Sequence, residues 1–526
     1  MVEVTDVHKT LLSLEKRAEN KPDDVISETF VDAEPLLKIL QAPLSQIIFG
    51  RRGTGKTHIL KYCLNEIKDK DGLATYIDIR TVGSNGSFYA DASVPKVERG
   101  LALVNDILRA LLDELYRFSM KRLDEGYRGD QITLRLDDLA DAIGNVRISG
   151  SVESKEEDES RNEGVSEAEL FGELGESRAS LKARLFARDS VGSRIAATRR
   201  VEGNEARFID FAQTQTALSG LLEILNVERM WLFLDEWSET PRDIQPYLAD
   251  LVRKTILPIG KIVVKIAAIE QRSLFSISPP GSGYIGLELG ADISADVALD
   301  DFLVFDYDEA KATNFFRELV YRNYLALGGE KEGVPSSTAL INILFTEKRA
   351  VEEFIRAVEG VPRDALNLVA KIVTKAYGRK AGVDDVRRAA LDWYTQDKVN
   401  LISTNPILIR ALNHIVDEVI GIRRARAFLF PANTRHDVID SLFDARVLHL
   451  LKKNISSRDE PGKRYDVWKI DYGCYVDLIR TQKAPLGLLP NDEGGEAFIE
   501  VPTDDYRSIR RAVLSPAELG KFVEET

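Results

Sequence analysis

Gly50-Arg51-Arg52-Gly53-Thr54-Gly55-Lys56-Thr57 is the stretch on which the reading of this 526-residue chain turns. It fits G-x-x-x-x-G-K-[ST] at every fixed position, and each fixed position has a chemical reason. Glycines let backbone N–H groups turn inward around phosphate oxygens, where side chains would block the approach. Lys56 supplies a mobile cation for β- and γ-phosphates, and the Thr57 hydroxyl is an oxygen donor of the kind Mg²⁺ takes. The helical run opening at His58 aims its positive dipole end at the same place. The loop from Gly50 through His58 is therefore the candidate nucleotide site, with no separate ligand role read for Arg51 or Arg52. Context supports the pattern: the apolar run SQIIF at 45–49 precedes it, and Ile59, Leu60, Cys63, Leu64 and Ile67 follow at helical spacing.

Further short apolar runs, each read as a buried strand, lie at 74–79 (ATYIDI), 230–234 (MWLFL), 261–269 (KIVVKIAAI) and 302–305. Amphipathic helices are expected over 101–118 and from about 242 to 256. Short strands alternating with helices predict an α/β domain around a parallel sheet. About 150 residues separate the second strand from the third, more than one crossover requires. Their centre is acidic, with ten Asp/Glu against Lys155 and Arg161 over 151–177. Alternating segments at 145–151 and 193–201 flank it. An insertion at about 122–212 is expected, either a β-ribbon with an acidic tip or a solvated loop.

Leu234-Asp235-Glu236 ends an apolar strand with two adjacent acids. An Asp at the end of a neighbouring strand can hold Mg²⁺, and a Glu one residue on can polarise an attacking water. Asp235 is accordingly the second metal candidate beside Thr57, and Glu236 the candidate base. An in-built base points to an ATPase and away from kinases and GTPases.

The chain is helical in pattern from 308 to 378, and Gly360-Val361-Pro362-Arg363-Asp364-Ala365-Leu366 opens a helix within that stretch. With the phosphate loop and the paired acids, this resembles the AAA+ ATPases of the origin-recognition initiator clade. In that clade a lid helix begins with a glycine and then an arginine that touches the γ-phosphate. The resemblance covers roughly residues 30–480 and implies ATP and Mg²⁺ as ligands, with Arg363 as the lid arginine. Two departures stand out. The fourth strand leads into Glu270-Gln271-Arg272, so only Gln271 is available as the water-positioning polar residue. Arg272, or at a stretch Arg253, is the nearest arginine that could reach a neighbouring subunit.

The C-terminal unit reads as helix (406–419), strand (425–430), a helical run over 435–451, a basic turn and an alternating strand from Tyr465 to Tyr472. Helices followed by a hairpin with a basic tip look like the winged helix that initiators carry here. Arg435, Lys452, Lys453, Arg458, Lys463 and Arg464 would then meet nucleic-acid phosphates, or else form a solvated face. No clear helix-turn-helix precedes the hairpin. The layout expected is an N-terminal helical segment (1–40), a P-loop core (41–307), a helical lid (308–400), a winged-helix unit (401–485) and a tail (486–526).

A net charge of −14 excludes a general polycation, yet 401–480 carries thirteen Lys/Arg against ten Asp/Glu, which leaves DNA open as a partner. Two cysteines far apart argue against a disulfide scaffold and fit a reducing cytoplasm. No apolar run approaches the roughly 20 residues of a membrane helix. Two functions stay open: a DNA-associated ATPase like the initiators, and a nucleotide-gated oligomerising switch like the STAND ATPases. Chains of this make also resemble ATPases of bacterial antiphage systems. Protein partners and self-association are expected under either reading.

Overall fold

The computed structural model describes residues 3–82, 86–127, 129–144, 146–149, 204–207, 209–279, 283–302, 309–432, 434–456, 461–480 and 512–524. The acidic stretch 151–177, the segment 193–201, residues 303–305 and Arg458 lie outside them.

Strands β1 (Gln46–Phe49) and β2 (Leu73–Asp78) bracket helix Lys56–Lys68. Helices Lys96–Asp124 and Gly129–Gly144 then lead to a two-stranded antiparallel ribbon, β3 (Val146–Ser149) with β4 (Asn204–Arg207). After helix Phe211–Ile224 come β5 (Met230–Asp235), helix Gln245–Thr255 and β6 (Ile262–Ala268). The short pair β7 (Ser276–Ile277) and β8 (Ile285–Gly286) precedes β9 (Ser294–Ala298). The main sheet runs β2-β5-β6-β1-β9, with every neighbouring pair parallel. All seven residues of β6 are buried, as a strand covered on both faces requires. One face packs on the helices of the insertion side through Leu103, Ile107, Leu218 and Leu248. The other packs on Ile59, Leu60 and Cys63 of the loop helix and on Phe30 and Leu36 of the N-terminal segment.

The α/β expectation holds, with two corrections to strand placement. The fifth sheet strand is Ser294–Ala298; Leu299–Phe302 is a 3₁₀ turn. The ribbon forms, but its second strand is Asn204–Arg207.

A helical region follows, from Glu309–Ala326 to Val383–Trp393, and shares one core with helix Val4–Leu12 and the C-terminal unit. That unit holds helix Pro406–Val416, β10 (Ala427–Pro431), helix Asp437–Asp444, β11 (Leu448–Ser456), β12 (Arg464–Ile470) and helix Tyr472–Arg480. Its sheet is antiparallel in the order β10-β12-β11. The helical reading of 435–451 is corrected here. The helix stops at Asp444, Arg446 takes a left-handed φ of 62°, and Leu448 to Leu451 lie on a strand. One helix, not a helix-turn-helix pair, separates β10 from β11 among the described residues. The tail returns to this unit: Leu429 exchanges backbone hydrogen bonds with Ala512 (2.8 Å) and Leu514 (3.0 Å). Among the described residues no helix is long and apolar enough to cross a membrane.

Candidate nucleotide site

The loop leaves β1 at Phe49 and re-enters regular structure at Lys56, the first residue of its helix. Gly53 and Gly55 hold φ of +89° and +95°, a conformation side chains resist. Lys56 is buried, and its Nζ donates to the carbonyls of Gly50 (2.8 Å) and Arg51 (3.0 Å). Burial pulls its pKa down, opposed by Asp235, Glu236 and Asp300. Thr57 Oγ1 donates to Asp235 Oδ2 at 2.7 Å, and Tyr76 OH on β2 donates to the same oxygen at 2.7 Å. The parallel pairing of β2 and β5, which sets Asp78 opposite Asp235, brings Tyr76 there.

Asp235 is fully buried and its Oδ1 accepts the backbone N–H of Glu236 at 2.8 Å. Glu236 turns off the strand with φ +57°, a strained state for a non-glycine of about 1–3 kcal/mol. Burial first, and then the neighbouring Asp235, raise its pKa above the ordinary carboxylate value. Arg80 lies 3.6 Å from Glu236 while bound through Nη2 to Asp78 at 2.6 Å.

The helical region closes the cavity from the opposite side. The N–H of Arg363 donates to the Gly53 carbonyl at 3.2 Å, so helix Pro362–Lys375 starts directly on the loop. Arg363, Lys56, Thr57 and Glu236 line one cavity, joined by Lys16, Arg17 and Lys21 of the N-terminal segment. Burial lowers the Arg363 pKa and takes that of Lys21 to about 8. With Arg52 and Arg80 the lining carries seven cationic side chains against Glu19, Glu236 and Glu239. Such a surplus in a walled cleft suits a polyanion.

Other expected site residues go elsewhere. Arg51 is turned away from the cavity and buried against Asp300, Glu359 and His449. Arg52 lines the cavity but is paired with Glu239 at 2.7 Å. His58 also reaches the cavity wall, yet its Nε2 bonds to the Ile26 carbonyl at 2.9 Å and its pKa is pushed down to about 4 by burial. Gln271 is absent from this cavity's lining. β6 ends at Ala268, and the following 3₁₀ turn puts Gln271 in a cleft against the C-terminal unit with Arg435 and Lys453. Arg272 is paired with Asp444 of that unit, and Arg253 with Asp250. Lys453 is paired with Glu270, while Lys452, Lys463 and Arg464 are exposed on the β11–β12 hairpin. Sequence reasoning missed Tyr76, Arg80 and the Lys16–Lys21 stretch. The β5 register could have found the first; nothing local marks the others.

Residues 13–69 match the ORC-CDC6-like family model. The stretch runs from the N-terminal segment through β1 and the phosphate loop to the end of its helix. The likeness to origin-recognition AAA+ proteins read from the sequence is thus borne out at the loop. No curated protein matches the chain. Matching solved structures include an arginine-to-alanine variant of RuvB from Thermotoga maritima. It is 13% identical, covers 50% of this chain and 83% of that one, and has a TM-score of 0.23, too low to place any residue.

Proposed function

We propose that the chain binds ATP with Mg²⁺ and hydrolyses it between the phosphate loop and the lid. The observation that carries this is the single cavity shared by Lys56, Thr57, Glu236 and Arg363, the first and last of them 307 residues apart. Thr57 and Asp235 offer a hydroxyl and a carboxylate that already touch, an all-oxygen set suited to a hard cation. Bound there, Mg²⁺ would neutralise phosphate charge during the transfer. Lys56 would exchange its two carbonyl acceptors for phosphate oxygens. Glu236, with its basicity raised by burial, would take the proton of the attacking water, and Arg363 would meet the γ-phosphate from the lid.

Lys56→Ala tests the reading. Wild type should gain about 3 kcal/mol of stability from ATP at a hundredfold excess over Kd, seen as a raised melting temperature. The variant should gain none; an equal gain would remove the loop from the nucleotide site.

Association with DNA through the exposed Lys452, Lys463 and Arg464 belongs to the same proposal. One observation favours the alternative of a nucleotide-gated oligomerising switch: the C-terminal unit is tied to the ATPase core by Arg272–Asp444 and Lys453–Glu270. Light scattering with and without ATP, beside DNA binding by anisotropy, separates the two.

A further inference from the structure

Arg51 belongs to the phosphate loop by sequence and to the C-terminal unit by contact. Its side chain is only 4% exposed. Nε donates to Asp300, the backbone N–H donates to the same carboxylate at 2.9 Å, and Nη2 donates to the Glu359 carbonyl at 3.3 Å. Nη1 meets Nδ1 of His449, on β11, and the Phe443 ring centroid lies 5.8 Å away.

This contact fixes the state of the imidazole. A guanidinium has donors only, so Nδ1 must be the acceptor and the ring proton must sit on Nε2. Nε2 does face an acceptor, Asp471 Oδ2 at 2.8 Å. His449 is therefore neutral while Arg51 is docked, because an imidazolium would set N–H against N–H and cation against cation.

The surroundings pull the other way. Asp471 also binds Lys398 at 2.5 Å, and Lys398 lies 3.2 Å from Asp364. Arg446 pairs with Asp364 and Asp397, and Lys469 pairs with Glu359 at 2.8 Å. Through Arg51 and Asp471 the ring joins a network in which four cations (Arg51, Lys398, Arg446 and Lys469) face five carboxylates (Asp300, Glu359, Asp364, Asp397 and Asp471). One more positive charge suits the cluster as a whole, and Arg51 alone forbids it on Nδ1. Proton uptake and docking of Arg51 are thus mutually exclusive.

We propose that His449 is a positioning residue for the phosphate loop. Neutral, it anchors Arg51 and holds the loop and the lid start against the C-terminal unit; protonated, it expels the guanidinium and loosens both. The loop is affected because the Arg51 carbonyl is an acceptor for Lys56, and the lid because Glu359 immediately precedes the glycine ahead of Arg363. The proposal rests on the nucleotide reading only for its effect on binding, since the contact itself is independent of any ligand.

Two substitutions in the full chain test it. His449→Gln keeps an acceptor for Arg51 and a donor for Asp471 but cannot titrate. His449→Lys sets against Arg51 a group whose ordinary pKa keeps it charged well above the range of an imidazole. Affinity for a fluorescent ATP analogue is measured at pH 8 and pH 6, a span across which imidazoles charge. At pH 8 wild type and His449→Gln should bind alike, with His449→Lys weaker by about fivefold or more. At pH 6 wild type should fall towards His449→Lys while His449→Gln holds. Ionisation of the nucleotide is common to all three proteins and cancels. If the lysine variant does not fold, the wild type and glutamine pair still decides. Parallel decline of those two overturns the proposal. If none of the proteins binds nucleotide, that reading fails by itself. Hydrogen exchange of loop amides 50–55 without nucleotide then decides the proposal: His449→Gln should be the more protected at pH 6, and equal protection refutes it.

Discussion

Gly53→Ala and Gly55→Ala form a matched pair that measures how firmly helix Pro362–Lys375 bears on the phosphate loop. Both glycines hold positive φ, so alanine at either costs about 1–2 kcal/mol from its Cβ alone. Their surroundings differ. A Cβ on Gly55 meets nothing within 4 Å, whereas one on Gly53 falls 2.9 Å from the Arg363 Cβ and 3.0 Å from the Val361 Cγ1. The Arg363 Cβ is fixed by its backbone and cannot swing aside. The start of helix Pro362–Lys375 must shift, and the bond from the Arg363 N–H to the Gly53 carbonyl goes with it, about 1 kcal/mol more. Urea unfolding of the nucleotide-free protein, followed at its first transition, should show about 1–2 kcal/mol lost in Gly55→Ala. Gly53→Ala should lose about 2–3 kcal/mol. Hydrogen exchange in the first turn of that helix should rise in Gly53→Ala only. Equal losses with unchanged exchange would show that this helix does not rest on the loop.

Three further outcomes are expected. Glu236→Gln should bind ATP and fail to release phosphate, while Asp235→Asn should lose Mg²⁺-dependent binding; phosphate-release and binding assays compare them. His58 titrates near 4 when folded against an ordinary 6.5, so the unfolded chain takes up its proton first. The stability due to the neutral ring is complete above about 6.5 and falls away towards pH 4, by up to about 3 kcal/mol, and His58→Gln should flatten melting temperature over that window. Replacing Lys463 and Arg464 by Ala should reduce the salt slope of DNA binding by about 2, with all sequences weakened alike, as anisotropy across a salt series would record.

The phosphate-loop pattern and the Asp235–Glu236 pair stood out in the sequence because the chemistry proposed for them needs fixed residue types at fixed spacing. The strands β1, β2, β5 and β6 were legible because strands buried on both faces must be apolar throughout. β9 was not: Ser294-Ala-Asp-Val-Ala has one large apolar residue, and the richer run at 302–305 drew the assignment instead. Val447 to Leu451 satisfied helical and extended spacing equally, and the left-handed turn at Arg446 that settles it leaves no mark in the residue type. Arg51 shows the deeper limit. Its loop position is variable in the motif, and its partner lies 398 residues away, so no local pattern could assign it to the C-terminal unit.

The return of residues 512–514 to β10 governs what a shortened chain would do. Strand Ala427–Pro431, with Phe428, Leu429 and Phe430 buried, presents one backbone edge to β12 and the other to this late segment. Ending the chain before residue 512 would leave the Leu429 N–H and carbonyl without these partners, in the middle of an apolar strand. Bare edges of that kind recruit strands from other molecules. Residues 512–514 cover that edge, and a protein truncated before them should appear as concentration-dependent aggregates even though the phosphate loop lies in a different part of the fold.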